Sequence, residues 1–331
     1  MKMGIIGAGM IVNTLFDFIH EISGITIHGV CARKGSEEKL ERICREQGIP
    51  CWYTDVDEML EKGDIDTVYV AVPNHLHYEY TKKALHAGKH VICEKPFTSN
   101  LREMEELIDL ARARNLVMVE AVSTLYIPNA LKIRETLPKL GNIRIVSMNY
   151  SQYSSRYNAF KEGTVLPAFN PAMSGGALMD LNIYNINFAV LLFGKPLTVR
   201  YQANVQKGID TSGILTLEYP DYQCVCIGAK DCRAPLMTSI QGDEGCILTA
   251  SSPNVLADYR VLLNSEKGEG RLCNENGGRH RMYHEFVVFE KMIRELDFET
   301  SRNMQEISRI TMEIQTKARQ DAGVVFPADL A

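Results

Sequence analysis

The sequence has little of what marks several large classes of protein. It contains one tryptophan in 331 residues. Its formal net charge is −5 at pH 7, so basic side chains are not in excess. No uninterrupted apolar run approaches the roughly 18 to 20 residues that a membrane-spanning helix needs. These absences argue against a nucleic acid or a membrane as the partner.

Cysteine and histidine do not occur at the spacings of a metal site or a disulfide framework. The nine cysteines are scattered along the chain, and Cys224 and Cys226 alternate as they would on one face of a strand. Neither this pair nor His75 and His77 has a second pair at zinc spacing. The first residues also lack the apolar core and cleavage site of a signal peptide. We therefore expect reduced thiols, a cytoplasmic location and no metal site.

The first 120 residues alternate short β-branched runs with amphipathic segments, as βαβ units do. The predicted strands are 2–6, 26–32, 66–72, 90–93 and 116–119, and the predicted helices are 12–22, 37–46, 56–61, 76–87 and 101–114. Connections of this length require parallel strands with helices on both faces of the sheet. Residues 1–122 are therefore predicted to form a doubly wound α/β domain of the Rossmann type.

The pattern changes after about residue 125. Alternating runs between 197 and 263 are separated by Gly, Pro, Asp and Asn, which is typical of an antiparallel meander. Helical segments at 177–193, 283–295 and 304–321 accompany them. Residues 123–331 are therefore predicted to form an α+β domain with a large, mainly antiparallel open sheet.

A glycine pair stands between the first predicted strand and the first helix. Gly7 and Gly9 allow a tight turn that lets backbone N–H groups approach a pyrophosphate, with Met10 and Ile11 opening the helix. Val12 occupies the position where a third glycine is common. A simple turn is the alternative, but the placement between a strand and a helix favours a dinucleotide site.

The end of the second predicted strand is basic. Sites for NAD commonly place an acidic residue there to bind the ribose hydroxyls, whereas this chain has Arg33 and Lys34 and no acidic residue before Glu37. Guanidinium and ammonium groups suit the 2′-phosphate of NADP. The sequence favours NADP, with NAD still possible, and a solvated basic loop is the alternative.

Four further segments carry a recognisable pattern. They are 71–77 (AVPNHLH), 88–96 (GKHVICEKP), 175–184 (GGALMDLNIY) and 194–196 (GKP). Together with the glycine turn they resemble the glucose–fructose oxidoreductase/inositol dehydrogenase (Gfo/Idh/MocA) family, essentially from end to end. Glu120, Ala121, the loop 160–163 and Tyr184 resemble most the branch that contains dimeric dihydrodiol dehydrogenase.

The resemblance implies a set of cofactor residues in the loops that follow the parallel strands. Lys95 would lie just past the predicted strand 90–93, beside the nicotinamide, in agreement with the rule that ligands bind at the carboxyl ends of such strands. Asn74 and His77 would line the nicotinamide side, and Pro73 would be a further cofactor-binding residue. Glu94 would contact the cofactor or support the turn.

The resemblance also implies a catalytic set of Lys95, Asp180 and Tyr184. Asp180 and Tyr184 are four residues apart on a predicted helix and so share one face, which the resemblance places opposite Lys95 across an interdomain cleft. Tyr184 would exchange the hydroxyl proton as the general acid/base, with the Lys95 ammonium favouring its phenolate. Asp180 would orient the substrate hydroxyl. The alternative is a purely structural role for each residue.

These features predict an NAD(P)-dependent oxidoreductase that acts on a CH–OH group of a small sugar, polyol or diol, with a non-catalytic NAD(P)-binding sensor as the alternative. Ser123 and Leu125 stand where the dihydrodiol branch typically has tryptophan and arginine, which leaves less aromatic stacking surface. This disfavours an aromatic dihydrodiol. The candidate substrate contacts are Tyr126, Tyr153, Arg156 and Phe160.

The sheet of the predicted second domain has helices for one face only, so its other face needs a cover. Members of the family commonly pair these sheets. We therefore expect a homodimer or homotetramer that assembles through the C-terminal sheet.

Overall fold

The computed structural model describes residues 1–330, which divide into two compact units. The first unit contains Met1–Ala121 and Met282–Arg309, and the second contains Val122–Arg281 and the chain from Ile310 onward. The sequence predicts one boundary, after residue 122. In the structure the chain also returns to the first unit over Met282–Arg309.

The secondary structure has the following bounds. The strands are β1 (Lys2–Ile6), β2 (Thr26–Cys31), β3 (Trp52–Tyr53), β4 (Thr67–Val70), β5 (His90–Glu94), β6 (Met118–Ala121), β7 (Ile143–Ser151), β8 (Thr198–Gln206), β9 (Ile209–Glu218), β10 (Gln223–Ala229), β11 (Met237–Gly242), β12 (Gly245–Thr249), β13 (Tyr259–Leu263) and β14 (Arg271–Cys273). The α-helices are α1 (Met10–Phe16), α2 (Glu37–Gln47), α3 (Val56–Lys62), α4 (His77–His86), α5 (Leu101–Ala113), α6 (Pro128–Thr136), α7 (Arg156–Lys161), α8 (Ile183–Phe193), α9 (Tyr283–Glu295) and α10 (Phe298–Asp321). Short 3₁₀ turns lie at Ile19–Glu21, Asn74–Leu76, Ser123–Leu125, Leu137–Leu140, Pro167–Phe169, Pro171–Met173 and Pro327–Asp329, and a π-helical turn lies at Leu178–Asn182.

The sheet of the first unit is parallel and has the strand order β3-β2-β1-β4-β5-β6. Its central strands are apolar because both faces are covered; Val68, Tyr69 and Val70 of β4 have no solvent-accessible surface. The strand order reverses at β1, which pairs with β2 on one side and β4 on the other. Ligands of doubly wound sheets bind outside the carboxyl ends of the strands at such a switch point. The predicted doubly wound sheet is confirmed.

Helix α9 belongs to the core of the first unit although it lies far along the chain. The ring centroid of Phe286 lies 5.4 Å from that of Tyr69 and 5.8 Å from that of Phe18, both in edge-to-face orientation. Edge-to-face aromatic pairs stabilise such contacts beyond the area they bury. The apolar periodicity predicts this helix, but it does not reveal which sheet the helix covers.

The sheet of the second unit has eight strands in the order β14-β13-β12-β11-β7-β10-β9-β8. β7 and β10 are parallel, and the other neighbouring strands pair antiparallel. The predicted large, mainly antiparallel sheet is therefore confirmed. α8 packs against β7 and β10, and Cys224 and Cys226 of β10 are completely buried.

The segment Pro171–Phe193, which contains α8, is long and apolar enough by composition to cross a membrane. However, 78% of its most apolar window is buried inside the structure. A helix that is apolar all round is also what the core of a large unit requires, and this is where α8 lies.

Candidate functional site

The glycine turn after β1 has one closed side and one open side. The Gly7 N–H donates to the Cys31 carbonyl at 2.8 Å, and a Cβ on Gly7 would lie 2.1 Å from the Ala71 carbonyl oxygen at a φ of +127°. Gly9 directly precedes α1, and a Cβ there would meet no protein atom within 4 Å. Met10 is 69% exposed. The open side thus leaves room for a ligand against the backbone of the turn, which fits a dinucleotide pyrophosphate.

The loop after β2 presents its basic side chains to solvent. Arg33 and Lys34 are exposed, and Ile11, at the start of α1, is half-buried. The Glu37 carboxylate accepts the Gly35 N–H at 3.1 Å, and this bond lowers the pKa of Glu37. Glu37, the first acidic residue after β2, is therefore hydrogen-bonded within its own loop.

His77 holds the loops that follow β4 and β5. Its ring is 1% exposed, with Nδ1 2.7 Å from the Pro96 carbonyl oxygen and Nε2 2.9 Å from that of Val72. Burial lowers the pKa of His77 to about 4, although its two carbonyl partners oppose that shift. Its nitrogens face the backbone of the protein, which makes it a support of these loops. Of the other predicted cofactor residues here, Pro73 is exposed and Asn74 is half-buried.

Two buried carboxylates, those of Glu94 and Glu120, lie beside the turn that carries Lys95. Lys95 is half-buried, and the preceding Glu94 accepts the Tyr69 hydroxyl at 2.5 Å. Glu120, on the adjacent β6, accepts the Phe97 N–H at 2.9 Å and the Ser308 hydroxyl at 2.6 Å. Burial raises the pKa of Glu120 to about 7, although the Lys95 charge opposes that shift. Both carboxylates thus support the turn that carries Lys95.

Asp180 lies on the π-helical turn of the second unit and is ion-paired. Lys230 Nζ lies 2.8 Å from Asp180 Oδ2, and the Lys230 side chain is 3% exposed whereas that of Asp180 is 31% exposed. The motifs in the sequence do not reveal Lys230, because a lysine at the end of a strand is usually a surface residue.

Tyr184 lies in the first turn of α8, in the same unit as Asp180. It is 7% exposed, and its ring centroid lies 6.0 Å from that of Tyr150. The predicted helical segment at 177–193 is present, with a π-helical turn over Leu178–Asn182 ahead of α8. Single π turns inside helices occur frequently at functional sites. Asp180 and Tyr184 are four residues apart, which is close to one turn of an α-helix and of a π-helix. The π-helical turn therefore does not move the two side chains to different sides of the segment.

The four candidate substrate contacts differ in accessibility within the second unit. Tyr126 is 6% exposed and Phe160 is 1% exposed, whereas Tyr153 is 39% exposed. Phe160 stacks on Phe169 with ring centroids 5.0 Å apart. Arg156 is exposed. Tyr153 and Arg156 therefore present surface, and Phe160 holds the loop together from within.

The whole chain matches known sequences. Residues 1–121 match the oxidoreductase family with an NAD-binding Rossmann fold, and residues 133–248 match the GFO/IDH/MocA C-terminal domain. The chain is 35% identical to the scyllo-inositol 2-dehydrogenase (NADP(+)) of Bacillus subtilis, with 100% of each chain covered. It is 24% identical to the trans-1,2-dihydrobenzene-1,2-diol dehydrogenase of Mus musculus, with 99% of each covered. The predicted family is confirmed.

The fold also matches solved structures. The 3-ketoreductase KijD10 of Actinomadura kijaniata, in complex with NADP and TDP-benzene, superposes with a TM-score of 0.84 at 19% identity, over 97% of each chain. At this level of identity the likeness concerns the fold.

Gly9→Ala is expected to weaken NADP+ binding about tenfold or more while leaving the thermal midpoint unchanged, since the added methyl meets no protein atom but occupies the open side of the turn. Gly7→Ala is the contrast: it clashes with backbone at a positive φ and should lower the midpoint. Fluorescence titration with NADP+ and thermal unfolding measure the two effects. Undiminished binding by Gly9→Ala would refute this location of the cofactor.

Glu120→Gln is expected to stabilise the protein increasingly as the pH rises. The folded-state pKa of about 7 exceeds the ordinary 4.5, so the contribution of Glu120 is fully present below pH 4.5 and is lost as the pH rises through 7. The amide cannot ionise, and the gain at pH 8 should approach about 3 kcal/mol. Denaturant unfolding at pH 5 and pH 8 measures it, with the exposed Glu41→Gln as control. An equal difference at both pH values would contradict the prediction.

Proposed function

Because the chain belongs to the GFO/IDH/MocA family of oxidoreductases, we propose that it transfers a hydride between NADP(H) and a secondary alcohol carbon of a cyclic polyol or sugar. It is an NAD(P)-dependent oxidoreductase that acts on sugar-like substrates. The observation that carries the finer proposal is the full-length likeness to a scyllo-inositol 2-dehydrogenase that uses NADP+.

The preference for NADP(H) is supported by the basic end of β2. Arg33 and Lys34 are exposed there, and both suit a 2′-phosphate. Gly7, Gly9, Met10 and Ile11 would hold the pyrophosphate. The nicotinamide, when bound, supplies the carbon that accepts or gives the hydride.

We assign the proton chemistry to Tyr184, Lys95 and Asp180. When the alcohol is oxidised, its carbon loses a hydride and its oxygen loses a proton, which the Tyr184 phenolate accepts. The Lys95 ammonium favours that phenolate and donates a hydrogen bond to the reacting oxygen. Asp180 accepts a hydrogen bond from a substrate hydroxyl and so orients the ring. In the reverse direction Tyr184 returns the proton to the alkoxide.

The exposed face of the second unit's sheet supports the proposal of a homodimer or homotetramer. Ile145, Ile214 and Met237 lie on this face and are 50%, 44% and 49% exposed. A sheet face that carries exposed apolar side chains is usually covered by another element or by a second chain.

A cytoplasmic location forms part of the same proposal. All nine cysteines are unpaired, although secreted proteins commonly pair theirs. Subcellular fractionation tests the location, and recovery outside the cytoplasm would contradict it.

The purified chain is expected to reduce NADP+ faster than NAD+ with scyllo-inositol as substrate, or with D-xylose, the sugar named for a 26% identical relative, the D-xylose 1-dehydrogenase (NADP(+)) of Hypocrea jecorina. Tyr184→Phe should lower kcat by about 10²- to 10⁴-fold with little change in the Kd for NADP+, and Lys95→Met should also lower kcat. Tyr222→Phe, a matched change elsewhere in the second unit, should leave kcat unchanged. Absorbance of the reduced nicotinamide measures turnover. NADP+ binding without turnover of either compound would favour the sensor alternative.

Light scattering after size-exclusion chromatography is expected to give the mass of two or four chains. The double change Ile214→Glu, Met237→Glu should shift the protein towards the monomer, because it places charge on an apolar interface. Val287→Glu, at a 38% exposed position of the first unit, is the control. A monomeric wild type would refute assembly through this sheet.

A further inference from the structure

A buried lysine stands where β10 ends. Lys230 follows Ala229 directly, and its N–H donates to the Thr211 carbonyl oxygen at 2.9 Å, which extends the pairing of the sheet. Its side chain is 3% exposed. Burial of an ammonium is costly unless hydrogen bonds and an opposite charge compensate for it, so its surroundings decide its role.

Three groups from two separate segments surround the ammonium. Nζ donates to the Ala168 carbonyl oxygen at 2.6 Å and to Asp180 Oδ2 at 2.8 Å. It also lies 4.6 Å from the ring centroid of Phe169, within the range of a cation–π interaction. Two hydrogen bonds and an aromatic face thus hold the ammonium in one place.

Asp210, whose charge interacts with Lys230, and Asp231, the next residue along the chain, each use Oδ2 for hydrogen bonds to other groups. Asp210 Oδ2 accepts the Leu178 N–H at 2.7 Å and the Tyr201 hydroxyl at 2.8 Å, and burial raises the pKa of Asp210 to about 6. Asp231 Oδ2 accepts the hydroxyls of Thr211 and Ser212 at 2.7 and 2.9 Å. Asp180 is therefore the carboxylate that pairs directly with Lys230.

The pair is asymmetric in its access to solvent. The Asp180 side chain is 31% exposed, ten times the exposed fraction of Lys230. A substrate hydroxyl can therefore reach Asp180 but not the ammonium behind it. Since the pair as a whole is neutral, it offers a hydrogen-bond acceptor without the net negative charge that would attract a cation.

We propose that Lys230 is a positioning residue for the reaction: it holds the Asp180 carboxylate in place as the acceptor for a hydroxyl of a neutral polyol or sugar. This inference rests on the proposed function, in which Asp180 contacts the substrate. Lys230 itself touches neither the substrate nor the cofactor.

A stability cycle tests the pair without reference to activity. Asp180→Asn leaves a buried ammonium without its counter-ion, whereas Lys230→Met leaves a carboxylate that water can reach. Asp180→Asn should therefore lower the thermal midpoint more than Lys230→Met does, and the double variant should recover part of the loss. Strictly additive changes in the midpoint would overturn the pairing.

A kinetic cycle tests the positioning role. With scyllo-inositol and NADP+, Lys230→Met should lower kcat/KM about tenfold or more and leave the KM for NADP+ unchanged. If Lys230 acts through Asp180, the same substitution in an Asp180→Asn background should have little further effect. An equal loss in both backgrounds would show a merely structural role and overturn the proposal.

Lys207→Met is the matched control. Lys207 donates to the Phe160 carbonyl oxygen at 2.5 Å and lies 4.7 Å from the Phe160 ring centroid. It thus anchors α7, whose Phe160 stacks on Phe169, by contacts of the same kind and without a contact to Asp180. Its removal should change kcat/KM by about twofold at most, because it lacks the contact to Asp180. A loss of kcat/KM as large as that of Lys230→Met would show that anchoring of the segment around Phe160 and Phe169, and not the contact to Asp180, causes the effect, and would overturn the proposal.

The failures of the two proposals differ. Turnover by the wild type, with Lys230→Met equally active, would overturn the role of Lys230 and leave the function standing. A wild type without turnover, in which the stability coupling persists, would overturn the proposed function and the positioning role with it.

Discussion

Parallel pairing of β1 with β4, and of β4 with β5, determines where the candidate cofactor residues of the first unit lie. Ile6 is in register with Val70, and Val70 with Cys93, so the loops after the three strands start at one edge of the sheet. The loops after β1 and β4 lie so close together that any Cβ at position 7 would overlap the Ala71 carbonyl, which explains the glycine there. These two parallel pairings therefore bring the glycine turn and the turn that carries Lys95 to one edge of the sheet.

Two buried polar side chains, those of His77 and Glu120, hold these loops through hydrogen bonds. His77 joins the backbone after β4 to that after β5, and Glu120 holds the N–H of Phe97. Leaving a buried polar group unpaired costs about 1–3 kcal/mol, so the hydrogen bonds of His77 and Glu120 compensate for the burial of these two side chains. Glu120 destabilises the protein at neutral pH because its pKa is raised to about 7. The hydrogen bonds it makes hold the turn that carries Lys95.

Much of this architecture follows from sequence patterns, because the glycine turn and the alternation of strands and helices are local. What escapes prediction is non-local. The apolar face of α9 predicts a helix, but its contact with Tyr69 depends on a segment more than 200 residues earlier. The π turn around Asp180 arises where Gln315 and Asp210 bind the backbone of Leu178. Lys230 carries no motif, and its charge becomes informative only when the fold buries it.

The burial of the 123–125 segment changes the argument about substrate. Ser123 and Leu125 are each 2% exposed, and the Ser123 hydroxyl donates to the Asn254 carbonyl oxygen at 3.0 Å. These positions therefore pack the second unit from within, so the small residue at 123 does not by itself leave an open, less aromatic surface. Discrimination between a polyol and an aromatic diol then depends on groups that keep exposed surface. Of the residues proposed to contact the substrate, Asp180, Tyr153 and Arg156 keep exposed polar groups, which would favour a substrate rich in hydroxyl groups over a flat apolar ring.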